Sequence, residues 1–316
     1  MSDILFIKTS SLGDVIHHMP AVSDARRHRP DAKIGWVVEE AFAPLVVLHR
    51  AVDDIVPVAS RRWRGAPFNP QTWREVRAFM SAMRAQPHET VIDAQGLLRS
   101  ALITRFARGR RHGYDPASVR ERAASGFYDV HHHVDRSLHA ITRNRMLTGK
   151  VLGYEPEGTP DFGLDRAALM SGAPAREVVL LHATARAEKE WPVANWIELA
   201  RELAAREYRV VLPWGSETER RRSEQIAAAT PKAIVPDLQP LDDAARMIAR
   251  AAFVVGVDTG LLHLAAALGV PLVAIFVGTE PGQHGPLGAG KIEIVGTLGQ
   301  MPSVDEVRAA VQLIET

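Results

Sequence analysis

Two short stretches hold residue types that could do chemistry. In Lys8-Thr9-Ser10-Ser11-Leu12-Gly13-Asp14 an apolar run ends in a polar turn with backbone donors, hydroxyls and a carboxylate. Asp14 would stand at the carboxyl edge where open α/β sheets bind ligands, and a plain helix cap is the competing reading. In Asp258-Thr259-Gly260 a second apolar run breaks the same way. Thr259 and Gly260 would open a helix whose free N–H groups and positive dipole end favour an anion such as phosphate. Gly260 would let a ligand approach the backbone closely, and a plain cap at Asp258 or Thr259 is the competing reading. A third loop, Ala183–Pro192, carries Thr184, Arg186 and Lys189, where a lysine could place a point charge on a diphosphate. Glu217, after Trp214-Gly215-Ser216, could accept from a ribose or sugar hydroxyl. Met247 could line an apolar base pocket, although a helical methionine more often serves a core. Arg61-Arg62-Trp63-Arg64 gathers three guanidinium forks that suit phosphate or carboxylate; a solvated basic turn is the alternative.

Each of these turns needs a strand before it and a helix after it. Ile4–Lys8 and Phe253–Val257 are short, apolar and rich in β-branched residues, as buried parallel strands are. Val15–Arg27 has helical spacing, with Pro20 predicting a kink or a late start. Leu261–Leu268 is a helix stopped by Gly269-Val270-Pro271, and Leu272–Phe276 is the next strand, so the stretch is a βαβ unit. Further strands are expected at Ala32–Glu39, Asp54–Val58, Thr90–Ala94, Glu177–His182, Tyr208–Pro213 and Ala233–Val235. Helices are expected at Glu75–Ala85, Leu98–Ala107, Asp135–Leu152, Val193–Arg206, Leu241–Arg250 and Ser303–Ile314. Glu155–Pro160 reads as the interdomain linker. Two α/β halves, each opening with strand, polar loop and helix, predict two facing sheets with ligands at the carboxyl edges of their strands. No G-x-G-x-x-G follows either opening strand, which argues against a dinucleotide fingerprint. His131-His132-His133 is expected as a surface loop without a metal, because neighbouring side chains on a strand or helix point apart.

The chain has 316 residues, 46% hydrophobic and 24% charged, with no cysteine, and fits two ordinary globular domains rather than a disulfide framework. The N-terminal segment reads as a strand rather than a signal peptide, and no window reaches the length of a membrane span. A cytoplasmic protein is expected. The net charge of +1 hides a split, since residues 1–150 carry 23 Lys and Arg against 15 Asp and Glu. Such asymmetry points the first half toward an anionic partner, whether nucleic acid, an acidic membrane surface or a phosphorylated acceptor.

Taken together and in order, ILFIKTSSLGDVIHHMPA, WVVEE, RRWR, VIDAQGL, HATARAEKEWP, LPWGSE and VVGVDTGLLHLAAALGVP resemble the ADP-heptose heptosyltransferases of lipopolysaccharide core assembly, glycosyltransferase family 9. The resemblance implies the GT-B fold, α/β with two facing Rossmann-like domains of parallel sheets. Residues 1–165 would bind the acceptor and 166–302 the ADP-heptose, with a C-terminal helix in 303–316 packing back on the first domain. It implies Asp14 as catalytic base, with Ser10, Ser11 and Gly13 in the same acceptor-side turn. Thr184 and Lys189 would hold the donor pyrophosphate and Glu217 the nucleotide. Asp258, Thr259, Gly260 and His263 match the family's Asp-(Ser/Thr)-Gly-x-x-His donor signature. Arg61, Arg62, Arg64 and Arg120 match basic positions for an acidic acceptor. Val277-Gly278-Thr279-Glu280-Pro281 departs from the Gly-Pro-Thr-Asp-Pro of many relatives, and Ala183 stands where some have Ser.

The reaction so implied is inverting and uses no metal and no cofactor. A Kdo hydroxyl of Kdo2-lipid A, at the cytoplasmic face of the inner membrane, attacks ADP-L-glycero-β-D-manno-heptose and expels ADP. A heptosyltransferase of the II or III type, acting on an already heptosylated core, would keep donor and mechanism. A nicotinamide dehydrogenase is disfavoured by the missing glycines. A protein that only binds anions or nucleic acid would explain the basic half but not Asp14, Lys189 and Asp258, so no nucleic-acid partner is expected.

Overall fold

The computed structural model describes residues 3–170, 176–184, 187–278 and 280–315; Arg186 and Thr279 lie outside them. The chain divides into two compact units, Met1–Gly163 and Leu164–Thr316.

The first unit has a six-stranded parallel sheet of β1 (Ile4–Ile7), β2 (Ile34–Glu39), β3 (Asp54–Val58), β4 (Pro87–Asp93), β5 (Arg108–Tyr114) and β6 (Val130–His132), in the order β3-β2-β1-β4-β5-β6. Its helices are α1 (Leu12–His28), α2 (Ala43–Val46), α3 (Ser60–Gly65), α4 (Pro70–Ala85), α5 (Leu98–Thr104) and α6 (Ala140–Leu152). This is the doubly wound order, and the strand sequence reverses direction between β1 and β4. The polar turns after those two strands therefore flank the crevice where open α/β sheets bind ligands. β1 is apolar at every position because it is central and covered on both faces.

The second unit has β7 (Glu177–Leu181), β8 (Arg209–Val211), β9 (Phe253–Val257), β10 (Leu272–Ile275) and β11 (Ile292–Val295), all parallel, in the order β11-β10-β9-β7-β8. Its helices are α7 (Arg166–Leu169), α8 (Val193–Ala205), α9 (Glu217–Ala228), α10 (Leu241–Arg250), α11 (Gly260–Ala267) and α12 (Val304–Glu315). Here the reversal falls between β7 and β9, the arrangement of the second common doubly wound order. The loops carrying Thr184 and Asp258 leave from those two strands.

Several expectations are corrected. α12 was expected on the first domain, but Val304, Val307, Ala310, Val311 and Ile314 join the core of the second unit, where an apolar stripe at helical spacing covers β10 and β11 and reaches β9. Arg308 ties it to Glu202 of α8 at 2.5 Å, and Glu315 accepts from Tyr208 at 2.8 Å. The basic Arg61–Arg64 run is the helix α3 rather than a loop. α1 runs unbroken from Leu12 through Pro20 to His28. Asn144 of α6 donates to the His17 carbonyl at 3.1 Å, in the turn that the proline ring disturbs. α6 begins at Ala140, not Asp135, with His139 as its cap.

α1 and α6 are also joined by charge. Arg145 donates to Asp24 at 2.6 Å and to the Glu157 and Gly158 carbonyls at 2.6 and 3.0 Å, and both charged side chains are buried. Asp24→Asn keeps the shape but removes a charge-assisted bond, so it should cost about 2 kcal/mol. Thermal unfolding should then begin roughly 5 °C lower. An unchanged melting curve would show that the pair does not hold these helices.

Candidate functional site

At the switch point of the first unit, the turn after β1 is held from both sides. Lys8 Nζ donates to the Ala94 carbonyl at the end of β4 (2.9 Å) and lies 3.8 Å from Asp14 Oδ1. Gln95 Oε1 accepts from the backbone of Thr9 and Ser10 at 3.1 and 3.2 Å. Arg99 of α5 donates to Ser10 Oγ at 2.9 Å. Asp14, in the first turn of α1, accepts from Ser11 N at 3.1 Å, so the capping reading holds. Capping does not use the whole carboxylate, because Arg120 Nη1 reaches both oxygens at 3.2 and 3.3 Å. Gly13 lies beside Asp14 in the same helical turn. Ser10, Ser11, Gly13, Asp14 and Arg120 are thus brought together.

Burial alone would raise the Asp14 carboxyl. Lys8, Arg120 and the Ser11 N–H outweigh it and hold the group at about 2. Burial pulls the Lys8 ammonium down to about 8 against the attraction of Asp14. Asp14 is therefore an anion throughout the neutral range, and Lys8 begins to lose its proton just above it. For stability, the buried Lys8 ammonium opposes folding below its folded value near 8, and the penalty is relieved as pH rises toward 10.5. The Asp14 contribution is present above 3.8 and lost as pH falls through about 2. For activity, an alkaline limb centred near pH 8 is expected as Lys8 discharges. Lys8→Met should abolish that limb and bring in an acid limb, because Asp14 loses its largest lowering influence. Matching pH–rate profiles of the two proteins would remove Lys8 from this role.

The three arginines of α3 have different positions. Glu39, at the end of β2, accepts from Ser60 Oγ and Arg61 N at 2.6 and 2.9 Å, so α3 starts at the carboxyl edge. Arg62 forks onto both oxygens of Glu40 at 3.0 Å and onto Glu75 at 2.6 Å. Its guanidinium is thus paired within the protein while its side chain stays half-exposed. Arg61 lies over the Phe42 ring, and Arg64 donates to the Ser60 carbonyl at 3.3 Å. Both are exposed.

At the switch point of the second unit, Lys189 Nζ donates to Asp258 Oδ2 at 2.5 Å. His263 Nε2 lies 3.5 Å from the other oxygen. Burial raises the Asp258 carboxyl, but hydrogen bonds from His263 and Lys189 overcome this and hold it far below the usual carboxylate range. Thr184 Oγ1 donates to the Asp258 carbonyl at 3.2 Å, joining the loops after β7 and β9. Thr259 is the N-cap of α11 and makes no side-chain capping bond, and Thr259, Gly260 and Leu261 are half-buried at the helix mouth. This leaves an ammonium and the first helical N–H groups at one edge, a setting that favours phosphate. Gly278 passes so close to the next loop that a Cβ there would lie 2.6 Å from the Glu188 carbonyl. No side chain fits beside Lys189 at that point, a constraint that residue type alone could not reveal.

Two expected donor residues lie apart from these contacts. Glu217 is half-exposed at the first turn of α9 and pairs with Arg220 at 2.9 and 3.0 Å. Met247 sits well inside α10 and is buried, lining a depression of about 390 Å³ with Ile234, Pro236 and Gln239. His131 and His132 form the edge strand β6 rather than a loop, and His132 contacts His112 at 3.1 Å. Among the described residues no three His, Cys, Asp or Glu come together as metal ligands, and no helix is long and apolar enough to cross a membrane. The residues missed from sequence are Ala94, Gln95 and Arg99; the signal was the polar Asp-Ala-Gln-Gly turn after β4.

Residues 76–313 match the model of glycosyltransferase family 9 (heptosyltransferase). Lipopolysaccharide heptosyltransferase 1 of Escherichia coli strain K12 is 43% identical over 296 residues, covering 92% of each chain. The solved structure of E. coli heptosyltransferase WaaC with ADP has a TM-score of 0.93 at 38% identity, covering 98% of this chain and 99% of that one. The same enzyme with ADP-2-deoxy-2-fluoro heptose has a TM-score of 0.89, also at 38% identity and with the same coverage.

Proposed function

Since the chain belongs to glycosyltransferase family 9, the heptosyltransferases, we propose that it transfers L-glycero-D-manno-heptose from ADP-heptose to a Kdo hydroxyl of Kdo2-lipid A. It is a transferase of the GT-B fold, built from two parallel-sheet α/β units. The observation that carries the reading is the Asp14 carboxylate, kept ionised by Lys8 and Arg120 in the turn at the first switch point.

The acceptor oxygen bonds to the anomeric carbon of the heptose, and its proton passes to Asp14. The bond from that carbon to the β-phosphate oxygen breaks, and its electron pair leaves on ADP. Attack and departure occur on opposite faces of the ring, so the configuration inverts. A weakly basic carboxylate suffices, because the hydroxyl becomes strongly acidic only as its oxygen bonds to carbon. The departing diphosphate needs charge compensation more than a proton. Lys189 and the N–H groups at the start of α11 supply it where the charge grows, and the mechanism calls for no metal and no cofactor. Arg120, with exposed Arg61 and Arg64, suits the Kdo carboxylates and lipid A phosphates. The reaction belongs at the cytoplasmic face of the inner membrane, where the acceptor is held.

The test is to incubate the purified protein with ADP-heptose and Kdo2-lipid A. ADP release matched by an acceptor mass gain of one heptose is expected. ADP release without that gain would sink the acceptor assignment. Gain only on a heptosylated acceptor would move the chain to the II type.

A further inference from the structure

We propose that the α3–α4 hairpin of the first unit is a docking surface for an anionic lipid bilayer. The inference deepens the proposed function, since a lipid-anchored acceptor must be met at a membrane surface, but its evidence is separate. Phe68, in the turn between α3 and α4, is 96% exposed, and Trp73, one turn into α4, is 56% exposed.

The turn is not a loose loop. Pro67 and Pro70 flank the tip, Asn69 caps α4 by accepting from Gln71 N at 2.9 Å, and Thr72 Oγ1 donates to the Ala66 carbonyl at 2.9 Å. Trp73 Nε1 donates to the Pro67 carbonyl at 2.9 Å, fixing the indole beside the tip with its polar edge satisfied. Two aromatic rings are thus held toward solvent by a braced turn, where collapse onto the protein would otherwise hide them.

The charge around them selects the occupant. Residues 60–85 hold six arginines and one acid, Glu75, and Arg62 and Trp63 already occupy that acid. Arg61, Arg64, Arg74 and Arg77 are exposed, and among the described residues none of the four has a carboxylate partner. Exposed aromatics beside a basic helical face fit the headgroup boundary of an anionic bilayer. A protein partner would need a larger apolar patch than two rings.

The experiment is co-sedimentation of the whole protein with vesicles of phosphatidylcholine, with and without phosphatidylglycerol and without any acceptor. Wild type should bind the anionic vesicles, and more weakly in high salt. Phe68→Ser/Trp73→Gln should lower binding by roughly tenfold for each ring removed. Arg74→Gln/Arg77→Gln should bind several-fold more weakly and lose the preference for anionic lipid. The aromatic double variant should still transfer heptose to an acceptor stripped of its acyl chains at the wild-type rate. Absence of wild-type binding, a double variant that sediments as wild type does, or one that loses transfer to the soluble acceptor would each overturn the proposal. The vesicle measurement needs no sugar nucleotide, so failure of the transfer reaction would leave it readable.

Discussion

Asp14→Asn is expected to slow heptose transfer by roughly 10²–10⁴-fold while ADP affinity stays within about twofold of wild type. The variant is chosen for what it preserves. Asp14 is the third helical residue of α1 and caps by reaching back to Ser11, and the amide oxygen of asparagine can still accept the Ser11 N–H that Asp14 accepts at 3.1 Å. If capping were the whole role of the residue, activity would survive.

What asparagine cannot do is hold a proton taken from an attacking hydroxyl. Lys8 also loses the anion that opposes its burial, so its ammonium should fall below its present value of about 8 and discharge more easily. That relieves the buried charge and lets the turn fold. Steady-state transfer with calorimetric ADP binding separates the outcomes. Turnover near wild type would end the base assignment, whereas lost ADP binding would mean that the substitution disturbed more than the proton acceptor.

Those half-sites were legible because their sequence signals are local. β1 and β9 are short apolar runs cut off by a polar turn, and the structure gives β9 the expected bounds and ends β1 one residue before Lys8. A parallel strand followed by a helix puts its connecting turn at the carboxyl edge, which suffices to flag Asp14, Lys189 and Asp258. What is not legible depends on residues far away along the chain. Gln95 holds the Thr9–Ser10 backbone from a turn 85 residues on, and only the strand order makes them neighbours. Arg62 looked available until folding brought Glu40 and Glu75 to it. β5, RGRRHGY, lacks the apolar pattern of a strand and forms one because its neighbours supply the ladder. α12 has an apolar stripe that any exposed sheet face could satisfy, so its spacing told that it packs but not where.

Lys189→Met should weaken ADP-heptose binding and lower turnover by roughly 10²–10³-fold, the usual scale for losing one fixed charge aimed at a developing anion. The side chain is anchored at its far end by Asp258 at 2.5 Å, so its ammonium is already placed and loses little freedom when the diphosphate arrives. Methionine keeps the stem and removes the charge, while His263 Nε2 stays 3.5 Å from the Asp258 carboxylate. The Asp258 carboxyl should then rise toward the ordinary range, since hydrogen bonding and charge from Lys189 help to hold it down. Asp258→Asn makes the complementary change, because the ammonium stays but its tether is weakened. If Lys189 acts through placement as well as charge, Asp258→Asn should lower kcat more than it raises KM. A charge-only role would leave kcat intact. Calorimetry with ADP beside steady-state kinetics of both variants distinguishes these, and unchanged affinity and turnover in Lys189→Met would remove the lysine from the site.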